Sequence, residues 1–110
     1  MSVRFFVDMH VRRELVVGLR LRGVEVLTAQ EDGSDRLADD ALLNRALFSQ
    51  DEDLIREAVR CQREGTTFTG LIYVHQLAIT IGQCVRDLEL IANVYEPEDL
   101  INRIEYLPLR

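Results

Sequence analysis

Short apolar runs recur along the chain. They are separated by segments in which apolar residues recur every three or four positions, as in a helix. The first run, residues 3–8, is almost unbroken and ends in a carboxylate. Runs of this kind fit a strand that is buried on both faces. Similar runs, some rich in β-branched residues, predict four further strands, at residues 24–28, 46–50, 70–75 and 104–107.

Between these runs the apolar residues recur at the three- and four-residue spacing of amphipathic helices. The spacing predicts helices over residues 11–22, 39–45 and 51–64, and Gly23 and Gly65 are placed to end two of them in a left-handed conformation. Thr80 and Gln83 have the spacing of a capping box, which predicts another helix start. Pro97 can occupy the first position of a short last helix, and the polar residues 30–36 form a predicted surface loop.

Strands that alternate with helices predict a parallel sheet with right-handed crossovers and helices on both faces. The fold class is therefore α/β, a three-layer α/β/α arrangement with a mostly parallel sheet of four to five strands. We expect the strand order 2-1-3-4 with the last strand at an edge. A chain of 110 residues with 47% hydrophobic content fits one domain, residues 1–110.

The charge and the cysteines exclude several classes of function. All 13 basic residues are arginines and the net charge is −6, which argues against general nucleic-acid affinity without a bound cation or a basic partner. Cys61 and Cys84 lack metal-ligand or redox spacing and are predicted to be core residues. No apolar run approaches the ~18 residues of a membrane span, so we expect a cytoplasmic protein without an export or membrane segment.

Candidate chemistry lies where two predicted strands end in acids. Asp8 ends the first strand, and Asp51 and Asp53 follow the third. In an open parallel sheet, ligands bind beyond the carboxyl ends of the strands where the strand order reverses. The predicted order puts strands one and three at that point, so these acids would face one crevice, with His75 arriving from strand four. Clustered carboxylates repel one another unless a cation neutralises them, which suggests a magnesium or manganese site.

Each candidate also has a structural interpretation. Asp51 precedes a helix and Asp53 lies in its first turn, where carboxylates bind free amides and favour the positive helix end. Asp8 is harder to explain structurally, because a nearly buried carboxylate is costly without a partner. The remaining polar candidates are also typical of helix caps, hydrogen-bonded histidines or a solvated helix face: Asp39, His10, His75, Arg12, Arg13, Arg20 and Arg22.

Four short motifs follow one another in order: Phe5-Phe6-Val7-Asp8, Gly23-Val24-Glu25-Val26-Leu27-Thr28, Leu47-Phe48-Ser49-Gln50-Asp51-Glu52-Asp53-Leu54 and Gly70-Leu71-Ile72-Tyr73. Together they resemble a family of bacterial PIN-like proteins that is grouped with the VapC-type toxins of toxin–antitoxin pairs. The resemblance covers essentially the whole chain and implies magnesium-dependent cleavage of RNA. It also implies Asp8, Asp39, Asp51 and Asp53 as metal ligands, with Asp8, Asp51 and Asp53 catalytic.

The chain departs from the family pattern at Met9 and Ala41, where members commonly have acids, and the segment before the third strand is short. Fewer carboxylates bind divalent cations more weakly. We therefore carry two hypotheses: a metal-dependent ribonuclease restrained by a small antitoxin, and a catalytically degenerate binding or dimerisation module. A homodimer is expected, because the short segment would expose apolar surface. A third possibility is recognition of a small phosphorylated ligand. The sequence contains no glycine-rich loop that would support it.

Overall fold

The computed structural model describes residues 3–7, 11–28, 45–75 and 79–109. Within them, strands and helices alternate along the chain. The strands are β1 (Arg4–Val7), β2 (Val26–Thr28), β3 (Arg45–Ser49), β4 (Leu71–Tyr73) and β5 (Ile104–Tyr106). The helices are α1 (Arg13–Leu21), α2 (Glu52–Glu64), α3 (Ile81–Val94) and α4 (Pro97–Leu100).

The strands form one sheet in the order β2-β1-β3-β4-β5, and all four pairings are parallel. β1 lies between β2 and β3, with Phe5 opposite both Val26 and Ala46. The predicted fold class and strand order are confirmed, including the last strand at an edge. The strand order therefore reverses between β1 and β3.

Two separate cores lie on the two faces of the sheet, as the period-two alternation of strand side chains requires. α1 and α3 pack side by side on the face that carries Phe5, Phe48 and Ile72. α2 packs on the opposite face, against Phe6 and Leu71. The sheet is thus covered on both faces, which makes the fold three-layered.

Local signals set the helix ends where the sequence predicts them. Gly65 ends α2 with φ 74°, and Gly23, just beyond α1, has φ 79°. Thr80 accepts a hydrogen bond from the Gln83 amide at 3.1 Å, which confirms the threonine half of the predicted capping box. Pro97 begins α4 as predicted. A capping box of Glu96 and Asp99, which was not predicted, stabilises the start of that short helix.

Several boundaries differ from the predicted ones. Arg45 belongs to β3 and is not the end of a helix over residues 39–45, because it pairs with Arg4 of β1. The rest of that predicted helix and the loop at 30–36 lie outside the described residues. β4 is shorter than predicted, and Val74 and His75 follow it.

The crossovers do not all have the same hand. α1 connects β1 to β2 and α3 lies between β4 and β5, so the chain moves toward opposite edges of the sheet in the two connections. Both helices nevertheless cover the same face, so their connections have opposite hands. The expectation of uniformly right-handed crossovers is wrong for one of them. This arrangement lets α3 pack beside α1. It also brings α3 to the start of β1, where the Val3 amide donates a hydrogen bond to Ala92 O at 3.2 Å.

Among the residues that the structure describes, no helix is long and apolar enough to span a membrane.

Candidate functional site

The carboxyl ends of β1 and β3 lie side by side at the reversal of strand order. Val7, the last residue of β1, is opposite Phe48, and Ser49 ends β3 in a fully buried position. Asp51 follows two residues later and begins the turn into α2. This edge of the sheet is where ligands bind in open parallel α/β proteins, and it is therefore the candidate site.

Two hydrogen bonds of ordinary length fix Asp51 at this edge. The Asp51 amide donates to Ser49 Oγ at 2.9 Å. The Asp51 carboxylate in turn accepts the Asp53 amide at Oδ1, also at 2.9 Å, and caps α2. The predicted capping role of Asp51 is confirmed. A carboxylate has lone pairs for further partners, so the cap leaves capacity for another ligand.

Asp53 points away along the helix. Its Oδ1 pairs with Arg56 at 2.8 Å, one turn further along α2, and both side chains are 76% exposed. An exposed pair of this kind contributes little to stability. The structure therefore places Asp51 and Asp53 two residues apart at one helix start, with Asp53 in solvent and Asp51 half-buried.

Two tyrosines, which were not predicted as site residues, continue the row next to Ser49. Ser49 is opposite Tyr73 on β4, and Tyr73 is opposite Tyr106 on β5. The two rings meet edge to face with centroids 6.1 Å apart. Burial raises the pKa of Tyr73 above 10.0, and the nearby carboxylates of Glu52 and Asp51 raise it further. The only sequence signal was the tyrosine at the end of an otherwise apolar strand.

The other predicted ligands are placed as follows. Asp8, Asp39 and His10 lie outside the described residues. His75 follows β4 and is exposed. Within the described ranges, no group of three or more His, Cys, Asp or Glu side chains is arranged to hold a metal ion.

Comparison with known proteins gives no relative. The chain matches no protein-family model, and it has no significant match among curated proteins or solved structures. The resemblance to PIN-like proteins therefore stays a prediction, and the site must be interpreted from its own geometry.

The arginines of α1 and its flanks take structural or solvated positions. Arg22 pairs with Glu89 of α3 at 2.8 Å, and Arg20 donates to the carbonyl of Val26 at the same distance. Arg12 and Arg13 are exposed at the helix start. Arg12 and Arg13 therefore fit the predicted solvated helix face, whereas Arg20 and Arg22 bind structural partners.

Both cysteines are free and buried, which confirms the prediction that they are core residues. Burial raises the pKa of the Cys84 thiol to about 12, and Asp87 adds to the effect. A thiol of that pKa is almost entirely protonated at neutral pH and is a poor nucleophile.

Proposed function

We propose that this protein is a PIN-like, metal-dependent ribonuclease of the cytoplasm, the toxin of a toxin–antitoxin pair. The observation that carries the proposal is the position of Asp51, at the carboxyl end of β3 and beside the end of β1. Asp8 follows Val7, the last residue of β1, directly in the sequence. The proposal requires the Asp8 and Asp51 carboxylates to share the space beyond these two strands.

Carboxylate oxygens are the ligands that magnesium and manganese prefer. A bound divalent ion would lower the pKa of a water molecule and stabilise the negative charge that develops on the phosphodiester of RNA. Asp51 suits the role of ligand because the Ser49 hydroxyl and the Asp53 amide fix its orientation in advance. Rigid placement of this kind is what an effective site needs.

The charge of the chain makes a cation necessary for this proposal. With a net charge of −6 and three acids at positions 51, 52 and 53, the start of α2 repels phosphate. A divalent ion held there would reverse the local sign, as bound cations commonly do. RNA binding and metal binding should therefore depend on each other.

A second candidate function is a catalytically degenerate binding module. Asp51 already caps a helix and Asp53 already pairs with Arg56, so both acids have roles that need no metal. Met9 and Ala41 stand where acids are common in the resembling family. This module would act through protein contacts alone.

Titration calorimetry with magnesium and manganese, paired with an RNA cleavage assay, separates the two functions. Asp8→Asn and Asp51→Asn should both lose metal binding and cleavage, because each removes one anionic ligand. Asparagine caps helices as well as aspartate does, so Asp51→Asn removes the charge without removing the cap. Glu64→Gln, at the far end of the same helix, is the matched control and should behave like the parent.

A parent protein that binds neither ion and cleaves no RNA would rule out the nuclease and favour the module. Cleavage that survives Asp8→Asn and Asp51→Asn unchanged would also reject the proposed site. Conversely, a monomer by light scattering that cleaves RNA would rule out the dimerisation module.

A further inference from the structure

Tyr106 differs from every other aromatic residue of the chain in its exposure. The chain has four phenylalanines, three tyrosines and no tryptophan, and the structure describes all of them. The phenylalanines and Tyr73 are buried and Tyr95 is partly buried, whereas Tyr106 is 56% exposed. A single exposed apolar side chain is normal in a folded protein, so the position of this ring decides what it can do.

Tyr106 lies at the carboxyl ends of the strands, where the candidate site is. It ends β5 opposite Tyr73, which in turn is opposite Ser49 at the end of β3. Side chains alternate along a strand, and Leu71 and Ile104, two residues before the tyrosines, pack on the face that α2 covers. Both tyrosines therefore belong to that face. Neighbouring strands are about 4.8 Å apart, so the Cα atoms of Tyr106 and Ser49 are about 10 Å apart.

The Tyr106 ring keeps at least one face that Tyr73 does not cover. The two rings meet at 77° with their centroids 6.1 Å apart, which is an edge-to-face contact. In that geometry the edge of one ring points at one face of the other, so Tyr73 can cover only one face of Tyr106. Tyr73 is itself buried, so it gives Tyr106 a fixed neighbour. The exposed ring is thus a supported flat apolar surface on which another planar ring can stack.

The charges beside this ring limit what it can bind. Asp51, Glu52 and Asp53 follow one another at the start of α2, and the first two are close enough to Tyr73 to raise the pKa of its phenol. Acids in this position repel phosphate, whereas an uncharged nucleobase is not repelled. Stacking needs only the face of a base, and single-stranded RNA exposes the base faces that a duplex hides.

We propose that Tyr106 is a stacking platform for one unpaired base of an RNA strand that lies across the carboxyl ends of β3, β4 and β5. The inference rests on the proposed ribonuclease function and names its substrate class, single-stranded RNA. Asp51 anchors a phosphate through the divalent ion, and Tyr106, two strands away, holds a nearby base. The platform positions the strand and takes no part in bond cleavage, so it stabilises the bound substrate and the transition state equally.

Equilibrium binding of a short fluorescent single-stranded RNA measures this contact. Calcium, which carboxylates also bind, replaces magnesium in the titrations. Tyr106→Leu keeps an apolar side chain but removes the aromatic ring, and it should weaken binding about 5- to 150-fold, which corresponds to roughly 1–3 kcal/mol for one stacked base. Tyr106→Phe keeps the ring and should bind within about twofold of the parent.

Two controls show that the loss comes from the ring and not from the fold. Leu21→Ala removes an apolar side chain that is 83% exposed on α1, on the other face of the sheet, and it should leave RNA binding unchanged. Circular dichroism should show the parent fold for all three variants, because the substituted side chains are exposed. The effect of Tyr106→Leu should also be the same at low and moderate salt, since stacking releases no counterions.

RNAs that lack a single base identify the partner of the ring. In a set of otherwise identical strands, each without the base at one position, one strand should bind the parent more weakly but bind Tyr106→Leu no more weakly than the complete strand. Such non-additivity indicates a direct contact. The same RNA annealed to its complement should bind the parent and Tyr106→Leu equally, because its bases are already stacked.

Cleavage kinetics with magnesium or manganese separate this inference from the ribonuclease proposal. Tyr106→Leu should raise KM and leave kcat within about twofold of the parent, because it removes binding that substrate and transition state share. Cleavage with an unchanged KM in Tyr106→Leu would overturn the platform and leave the nuclease standing. RNA binding that depends on Tyr106 in a protein that cleaves no RNA would do the opposite. A parent that binds no single-stranded RNA, or binds it no better than Tyr106→Leu does, would also overturn the platform.

Discussion

Asp51 combines a structural role with a proposed chemical one, and the two can be separated by substitution. Its carboxylate caps α2 by accepting the Asp53 amide at 2.9 Å. Asp51→Ala should lower the free energy of unfolding by about 1 kcal/mol, whereas Asp51→Asn should change it by only a few tenths of a kcal/mol. Urea denaturation measures both values. Equal losses for alanine and asparagine would show that charge, and not capping, stabilises this helix start.

Tyr73 should make stability depend on pH in the alkaline range. Burial, then the charges of Glu52 and Asp51, and then Tyr106 raise the pKa of its phenol above 10.0. The folded state thus favours the neutral phenol, and its contribution to stability is fully present below about pH 10 and is lost as the pH rises through the higher folded-state pKa.

An ultraviolet titration of the folded protein should therefore show a late-ionising tyrosine that is absent in Tyr73→Phe. Asp51→Asn should move this late component to lower pH, because it removes one of the charges that raise the pKa. A titration curve that Tyr73→Phe leaves unchanged in shape would contradict the assignment.

At the scale of the elements, Gly70 sets the packing of α4 against the sheet. Its φ is 113°, and a Cβ there would lie 2.6 Å from the Leu100 carbonyl oxygen. Gly70→Ala combines this contact with an unfavourable backbone conformation, and we expect a loss of about 1–3 kcal/mol. Gly82→Ala in α3 is the control, because nothing lies within 4 Å of its Cβ position.

The control should be neutral or stabilising by up to about 1 kcal/mol, since alanine favours the helix. Thermal denaturation of both variants gives the comparison. Equal melting temperatures for the two variants would mean that α4 moves aside at little cost.

Helix ends were predictable because their signals are local. Gly65, Thr80 and Pro97 each act through their own backbone or a residue three positions away. The hand of the connection through α3 was not predictable in this way. It depends on the packing of α3 against the sheet face beside α1, which is a property of the assembled sheet and not of any single segment.

For the whole molecule, strand order followed from the alternation of elements, whereas the chemistry of the site did not. The sequence places Asp51 and Asp53 after β3, but it cannot show that one carboxylate turns back to cap the helix and the other pairs with Arg56. Tyr73 was not predicted as a site residue, because the sequence of its apolar strand does not show which residues of the adjacent strands lie next to it. Which side chains share the edge depends on register across strands, and register depends on residues far apart in the chain.

The hydrogen bond from Val3 to Ala92 also has a consequence for folding during synthesis. β1 is synthesised before the other strands of the sheet, yet its face with Phe5 and Val7 shares a core with α3, which begins at Ile81, 74 residues after Val7. During synthesis, one side of this apolar strand therefore stays incompletely covered until α3 has emerged from the ribosome. A nascent chain that stops before α3 presents that surface to chaperones or to other chains.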